Sequence, residues 1–328
     1  MPAGNTHGDA ELAARLGAGP GRRGRAAAAA TVCRDGQVLA SVGAGLDADF
    51  ELGSVSKGIT GLLYADAVAR GELDPATTLG ELLPLGACEA ARVTAGALST
   101  HSSGLPRLAR PAQPFRRTLG LWLHSTNPYG ESLGRLLAQA RTVKLSAPRP
   151  RYSNLGYQLL GHAVASAAGL QYPDLVRDRL AGPLGLGSLY APAGPGRLRP
   201  EAGIGRSRTG KPREPWTGEA LAPAGGLRAS VRDMARLMAA VLGGSAPGIS
   251  ALDPVAGFAG GARIGAAWVT LDVKGRRITW HNGATGGFRT WVGFDRSAGT
   301  GVAVMSASSL PVDRYGFTLL QELSAACR

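Results

Sequence analysis

Strand-forming sequence stands at both ends of this chain and helix-forming sequence lies between, and this division most restricts what the chain can fold into. Near the start, Thr31–Arg34 and Gln37–Val42 are β-prone runs on either side of Asp35-Gly36, a dipeptide that favours a tight hairpin. Phe50–Gly53 offers a further short strand. Near the end, Ile264–Asp272, Arg276–Trp280, Arg289–Phe294 and Gly301–Ser306 form a second series, with turns at Lys274-Gly275 and Ser297–Thr300. A closing helix is predicted over Val312–Ala326. In between, Val55, Ile59, Leu62, Leu63 and Val68 recur at helical spacing until Gly71. Shorter helical patterns follow at Ala90–Ser99, Leu133–Ala140, Tyr157–Ala168 and Tyr172–Leu180 among Pro/Gly loops, and Ser230–Leu242 adds an amphipathic helix.

A hairpin and a meander that each leave an apolar face uncovered should join into one antiparallel sheet with helices packed on it. The expected fold class is therefore α+β, an α/β sandwich: an antiparallel β-sheet flanked by helices, plus an inserted, mainly helical lobe. Residues 26–73 and 221–328 are assigned to the sheet domain, 74–220 to the helical lobe and 1–25 to a flexible N-terminal tail. The cleft between lobes is the natural ligand site.

The formal net charge of +13 raises the question of nucleic acid. Lysine is confined to Lys57, Lys144, Lys211 and Lys274, and the arginines are scattered through Ala- and Gly-rich sequence with no accompanying binding motif. No nucleic-acid partner is expected, while attraction to an anionic substrate or partner stays open. No run approaches the roughly 18 apolar residues of a membrane span. Arg22, Arg23 and Arg25 before Ala26–Ala30 imitate a secretory signal only faintly, because the stretch is short and alanine weakly apolar. Cys33, Cys88 and Cys327 are odd in number and lack metal-ligand spacing, so neither a disulfide framework nor a metal site is expected. They favour a reducing, cytoplasmic location.

Three short segments carry chemistry. Ser54-Val55-Ser56-Lys57 sets a hydroxyl and an amine three residues apart where a helix begins, so the two share one face. A serine hydroxyl needs such a neighbour to become nucleophilic, and the helix N-terminus favours developing negative charge. The same pattern also fits an N-cap serine with a solvated lysine. Tyr152-Ser153-Asn154 lies in a loop feeding a helix. Its phenol could shuttle a proton if a lysine ammonium lowered its pKa, and its amide could hold a substrate amide, unless both are ordinary capping and packing groups. Trp280-His281-Asn282-Gly283-Ala284 joins two late strands with small residues, where a substrate backbone could pair and an N–H could serve an oxyanion. His101 and His124 could suggest a triad, but no Gly-x-Ser-x-Gly accompanies them and they are read as structural or surface groups.

In combination and in this order, the three segments resemble the penicillin-recognising serine enzymes. The chain is most similar to the branch of class C β-lactamases, D-alanyl-D-alanine carboxypeptidases and family VIII carboxylesterases. The resemblance runs from about residue 28 to the end and includes Leu98-Ser99-Thr100-His101-Ser102-Ser103-Gly104-Leu105-Pro106 and Pro223-Ala224-Gly225-Gly226-Leu227. It implies a β-lactamase/transpeptidase-like fold and a cofactor-free serine hydrolase that forms and then hydrolyses an acyl-enzyme on Ser54. Lys57 and Tyr152 would form the proton relay. Asn154, His281, Asn282, Gly283 and Ala284 would bind substrate, and the N–H groups of Ser54 and Ala284 would make the oxyanion hole.

Three departures bear on substrate. His281 stands where class C β-lactamases have lysine, Asn282 replaces a hydroxyl, and the stretch from Tyr152 to His281 is short. Ester or peptide-like amide cleavage is therefore expected over efficient β-lactam hydrolysis. The alternatives are an acyltransferase or cyclase with an amine acceptor, a β-lactamase or D-Ala-D-Ala carboxypeptidase, and a weakly catalytic sensor that stays acylated. The expected partner is a small ester, amide or peptide.

Overall fold

The computed structural model describes residues 5–108 and 131–327. The hairpin at Asp35-Gly36 forms, with β2 (Ala27–Cys33) and β3 (Gly36–Val42) paired from Cys33↔Gly36 back to Ala27↔Val42. β2 begins four residues earlier than its β-propensity suggests. Ala27–Ala30 are poor strand formers, yet all four are fully buried, because β2 runs inside the sheet between β3 and β11. Their small side chains allow helices to pack on both faces.

The late strands are β6 (Ala256–Gly257), β7 (Arg263–Ile264), β8 (Val269–Val273), β9 (Arg276–Ala284), β10 (Arg289–Asp295) and β11 (Thr300–Ser306). They join the hairpin in a nine-stranded sheet of order β1-β3-β2-β11-β10-β9-β8-β7-β6, with every pairing antiparallel. The run expected as one strand over Ile264–Asp272 is broken. Gly265 N–H closes a turn onto the Trp268 carbonyl, and Ala267 takes a positive φ of 69°. β9, by contrast, continues past Trp280 to Ala284, so the segment read as a junction is itself strand.

The N-terminal expectation needs correcting. Residues 6–18, assigned to a flexible tail, form β1 (Thr6–Gly8), paired with β3, and helix α1 (Ala10–Ala18). Asp9 caps α1 by accepting the Leu12 N–H at 2.8 Å, and Leu12, Ala13 and Leu16 are buried, so a short amphipathic face offsets the Gly/Arg-rich composition.

Strand alternation divides the core in two. On one face Ala27, Ala29, Trp291, Val302 and Val304 meet α1 and the closing helix, here α9 (Asp313–Ala326). On the other, Ala28, Ala30, Val292, Phe294 and Ala303 meet the main core with α2 (Val55–Ala69) and α8 (Val231–Leu242). This is the helix-flanked antiparallel sandwich expected.

The intervening sequence supplies α3 (Leu79–Leu82), α4 (Ala95–Ser99), α5 (Leu133–Ala140), α6 (Asn154–Ala167) and α7 (Tyr172–Val176). A separate two-stranded ribbon, β4 (Asp49–Glu51) with β5 (Arg228–Ser230), ties the start of α2 to the start of α8. Among the described residues no helix is long and apolar enough to cross a membrane, and no cluster of His, Cys, Asp and Glu could hold a metal ion.

Candidate active site

Leu52 leaves the β4–β5 ribbon with its N–H on the Leu227 carbonyl (2.9 Å), and the chain turns through Gly53 into α2. Gly53 has φ +51°, and a Cβ there would come within 2.6 Å of the Ala284 nitrogen. Only glycine lets the first turn of α2 sit this close to β9.

Ser54 occupies the N-cap position of α2 but makes no capping hydrogen bond with its side chain. Its hydroxyl instead accepts from Lys57 Nζ at 3.2 Å and lies near enough to the Tyr152 phenol to act on its acidity. Lys57 is fully buried and also donates to the Ala224 carbonyl at 2.5 Å. The alternative of a capping serine with a solvated lysine therefore does not describe this helix start. The Ala224 carbonyl belongs to the turn at Ala222–Gly226, which also receives the Thr60 hydroxyl on Pro223 O at 2.7 Å.

Tyr152 comes from the loop ahead of α6, and its ring lies 4.9 Å from Lys57 Nζ. His101 sets this loop. Its carbonyl accepts the Arg151 N–H (2.8 Å), its Nδ1 accepts the Ser153 N–H (3.2 Å), and its ring packs 4.6 Å from that of Tyr152. It is buried, with φ +57°, and burial holds it well below the usual histidine range, hence neutral. That is a structural role. His124 lies outside the described residues. Asn154 opens α6 half-buried, its N–H on the Arg107 carbonyl (2.9 Å), and its side chain makes no hydrogen bond to another described group.

The protonation states follow from burial. Lys57 is pushed well below the ordinary lysine range by desolvation, with the Arg107 charge acting in the same direction. Tyr152 is pushed up to about 12 by burial, against the nearby Ser54 hydroxyl and the Arg107 charge, which act to lower it. Amine with phenol and ammonium with phenolate hold the same number of protons, and burial favours the uncharged pair. Burial thus runs against a phenol acidified by a lysine ammonium and favours an uncharged Lys57 amine beside Ser54.

A pH profile checks this. Activity should persist at neutral pH and fall on acidification, as Lys57 takes up the proton that disables it. An enzyme active only above pH about 10, where an unperturbed lysine titrates, would contradict the assignment.

The opposite wall is the end of β9. Thr285 N–H donates to Phe288 O (3.1 Å), making 285/288 a hydrogen-bonded pair. By alternation 284/289 is a non-hydrogen-bonded pair, so the Ala284 N–H turns away from β10. β8 last pairs with β9 at Trp280, which leaves the outer edge of residues 281–284 without a strand partner among the described residues. The Ala284 N–H therefore faces an open edge beside Gly53 and Ser54. Gly283 is required by crowding, since a Cβ there would lie 1.9 Å from the Leu52 carbonyl.

His281 is buried on this wall, its Nδ1–H donating to the Asn282 carbonyl (2.7 Å), and burial above all lowers it to about 4. It supplies no positive charge at neutral pH. Asn282 corrects another expectation. Alternation turns its side chain to the opposite face from His281, where the amide donates to Asp313 at the start of α9 (2.5 Å), so it is committed within the protein and not left free for substrate.

Sequence reasoning missed the ion cluster under the site. Arg228, fully buried, donates to Asp49, to Glu51 (3.1 Å) and to the Gly203 carbonyl (2.9 Å). Glu51 also accepts the Trp216 N–H at 2.9 Å. No local signal could have linked these residues, because Asp49 and Glu51 precede Arg228 by 179 and 177 positions.

The chain is similar to known proteins in sequence and in fold. The sequence profile of the Beta-lactamase family matches residues 12–325. The D-alanyl-D-alanine-carboxypeptidase/endopeptidase AmpH of Escherichia coli K12 is 28% identical over 145 residues, which is 43% of this chain and 36% of that protein. Penicillin-binding protein 4 of Amycolatopsis lactamdurans is 32% identical over 147 residues, 43% of this chain and 35% of that protein. The matched stretch thus spans about a third of the length of these curated relatives. Among solved structures, a D-alanine carboxypeptidase AmpC from Burkholderia cenocepacia superimposes with TM-score 0.76 at 22% identity, covering 94% of this chain and 96% of that one. A class C β-lactamase from Rhodobacter sphaeroides gives TM-score 0.74 at 21% identity, over 88% and 90%. At these identities the structural likeness speaks to fold.

Proposed function

The chain belongs to the Beta-lactamase family of serine hydrolases, and from that premise we propose that Ser54 is its acyl-forming nucleophile, acting on a small ester, amide or peptide. The observation that carries the reading is the Ser54 hydroxyl hydrogen-bonded to Lys57 Nζ at 3.2 Å, with the Tyr152 ring 4.9 Å from the same nitrogen. As Ser54 Oγ attacks the substrate carbonyl, its proton passes to the Lys57 amine. The carbonyl oxygen, now negative, is received by the N–H groups of Ser54 and Ala284. One such donor typically contributes about 3 kcal/mol to the transition state. The proton then moves to the leaving group, with the phenol as relay, and the C–X bond breaks. Water repeats the sequence in reverse to release the acid and restore Ser54. Asn154, whose side chain makes no hydrogen bond among the described residues, would orient the substrate amide or ester. No cofactor, metal or nucleic-acid partner enters this scheme.

Ester or peptide-like cleavage is preferred over efficient β-lactam hydrolysis, because His281 is neutral and Asn282 is engaged by Asp313. A second reading, cleavage of D-alanyl peptides, draws support from the carboxypeptidase named among the curated relatives. The unpaired thiols Cys33, Cys88 and Cys327 support a cytoplasmic setting.

Tyr152→Phe keeps the ring against His101 and removes the relay, so kcat should fall about 10²-fold or more with KM little changed. Steady-state kinetics on an activated short-chain ester reads this, and full activity in the variant would remove Tyr152 from the mechanism. Product analysis with and without an added amine separates hydrolysis from acyl transfer.

A further inference from the structure

Arg107 is exposed, and its guanidinium carbon lies 5.5 Å from the centroid of the Tyr152 ring. Its backbone is fixed where the site is built, the carbonyl accepting the N–H groups of Asn154 (2.9 Å) and Leu155 (3.3 Å) at the start of α6. Among the described residues nothing ion-pairs or hydrogen-bonds its guanidinium, which sets its charge beside the Tyr152 ring without a carboxylate partner. Arg149 and Arg151, on the loop that carries Tyr152, are exposed and likewise without an ion pair among the described residues. Among the described residues the helical-lobe side thus presents the Arg107 charge beside Tyr152, while on β9 the His281 ring is buried and neutral.

Building on the Ser54 reading, we infer that Arg107 is the specificity-determining residue of this site. It holds an anionic group of the substrate over the Tyr152 ring, on the helical-lobe wall and not on the β9 edge. A guanidinium presents a planar fork that matches a carboxylate with two parallel hydrogen bonds, and stacking against an aromatic ring pre-orders that fork. The backbone anchor keeps it in register with Asn154, so the anion and the scissile carbonyl would be positioned by one rigid segment. A chain of net charge +13 also draws such substrates toward it. The substrate class is an acyl ester or amide carrying a carboxylate a few atoms from the scissile bond.

The test compares 4-nitrophenyl hydrogen adipate with its neutral adipamic counterpart, equal in length and leaving group. The wild-type protein should favour the adipate by about tenfold or more in kcat/KM, through KM, as a charge-assisted pair provides. Arg107→Gln should bring the ratio close to one, Arg107→Lys should retain part of it, and added salt should shrink it. Dissociation constants of the two esters on the Ser54→Ala protein should give the same ordering without turnover. A ratio near one in the wild type, or a ratio unchanged in Arg107→Gln, would overturn the inference. Failure of the underlying reading shows differently, as undiminished turnover of the neutral ester by Ser54→Ala.

Discussion

The Ser54→Ala protein should lose ester turnover to near background, a drop on the order of 10⁴ or more, while folding as the wild type does. The size of the effect follows from the arrangement. Lys57 donates to the Ser54 hydroxyl and the Tyr152 ring lies beside the same Nζ, so removing the oxygen leaves a base and a relay with nothing to activate. Stability should change little, because Ser54 makes no capping bond that α2 depends on. Substrate binding should survive, since the N–H groups and Asn154 remain. Turnover within tenfold of wild type would show that another residue attacks.

The largest stability effect is expected from Arg228→Met. Arg228 is fully buried with two carboxylates, and the substitution leaves Asp49 and Glu51 in the interior without their cation. Breaking a buried cluster by removing one partner typically costs about 3–5 kcal/mol. Glu51 is already pushed upward by burial, with the Arg228 charge acting to restrain it, so without Arg228 it would favour the protonated form. The loss reaches the site because β4 and β5 pair here, three residues before Ser54. Denaturant unfolding should report a lower midpoint, and a change under about 1 kcal/mol would mean that the ribbon does not depend on the cluster.

What could be read from the sequence was what lies close together in it. The helix from Val55 was legible because its apolar repeat and the stop at Gly71 agree, and the Ser54/Lys57 pair came with it. The hairpin at Asp35-Gly36 was legible from its turn residues. Strand β9 was cut short because Asn282 and Gly283 have low β-propensity, yet pairing with Trp291 and Thr290 carries the strand through them. The first helix was hidden under Gly/Arg-rich composition, although Asp9 and the spacing of Leu12 and Leu16 mark it. The orientation of Asn282 needed the strand's true extent. The neutral states of Lys57 and His281 needed burial, which no local pattern supplies. Arg107 was one arginine among many until its carbonyl was found bound to the start of α6.

Intact-mass analysis after treatment with a fluorophosphonate tests the central assignment most directly. The wild-type protein should gain one adduct that maps by peptide mass to Ser54, and the Ser54→Ala protein should gain none. An adduct of equal yield in both proteins, or one mapped to another residue, would contradict it.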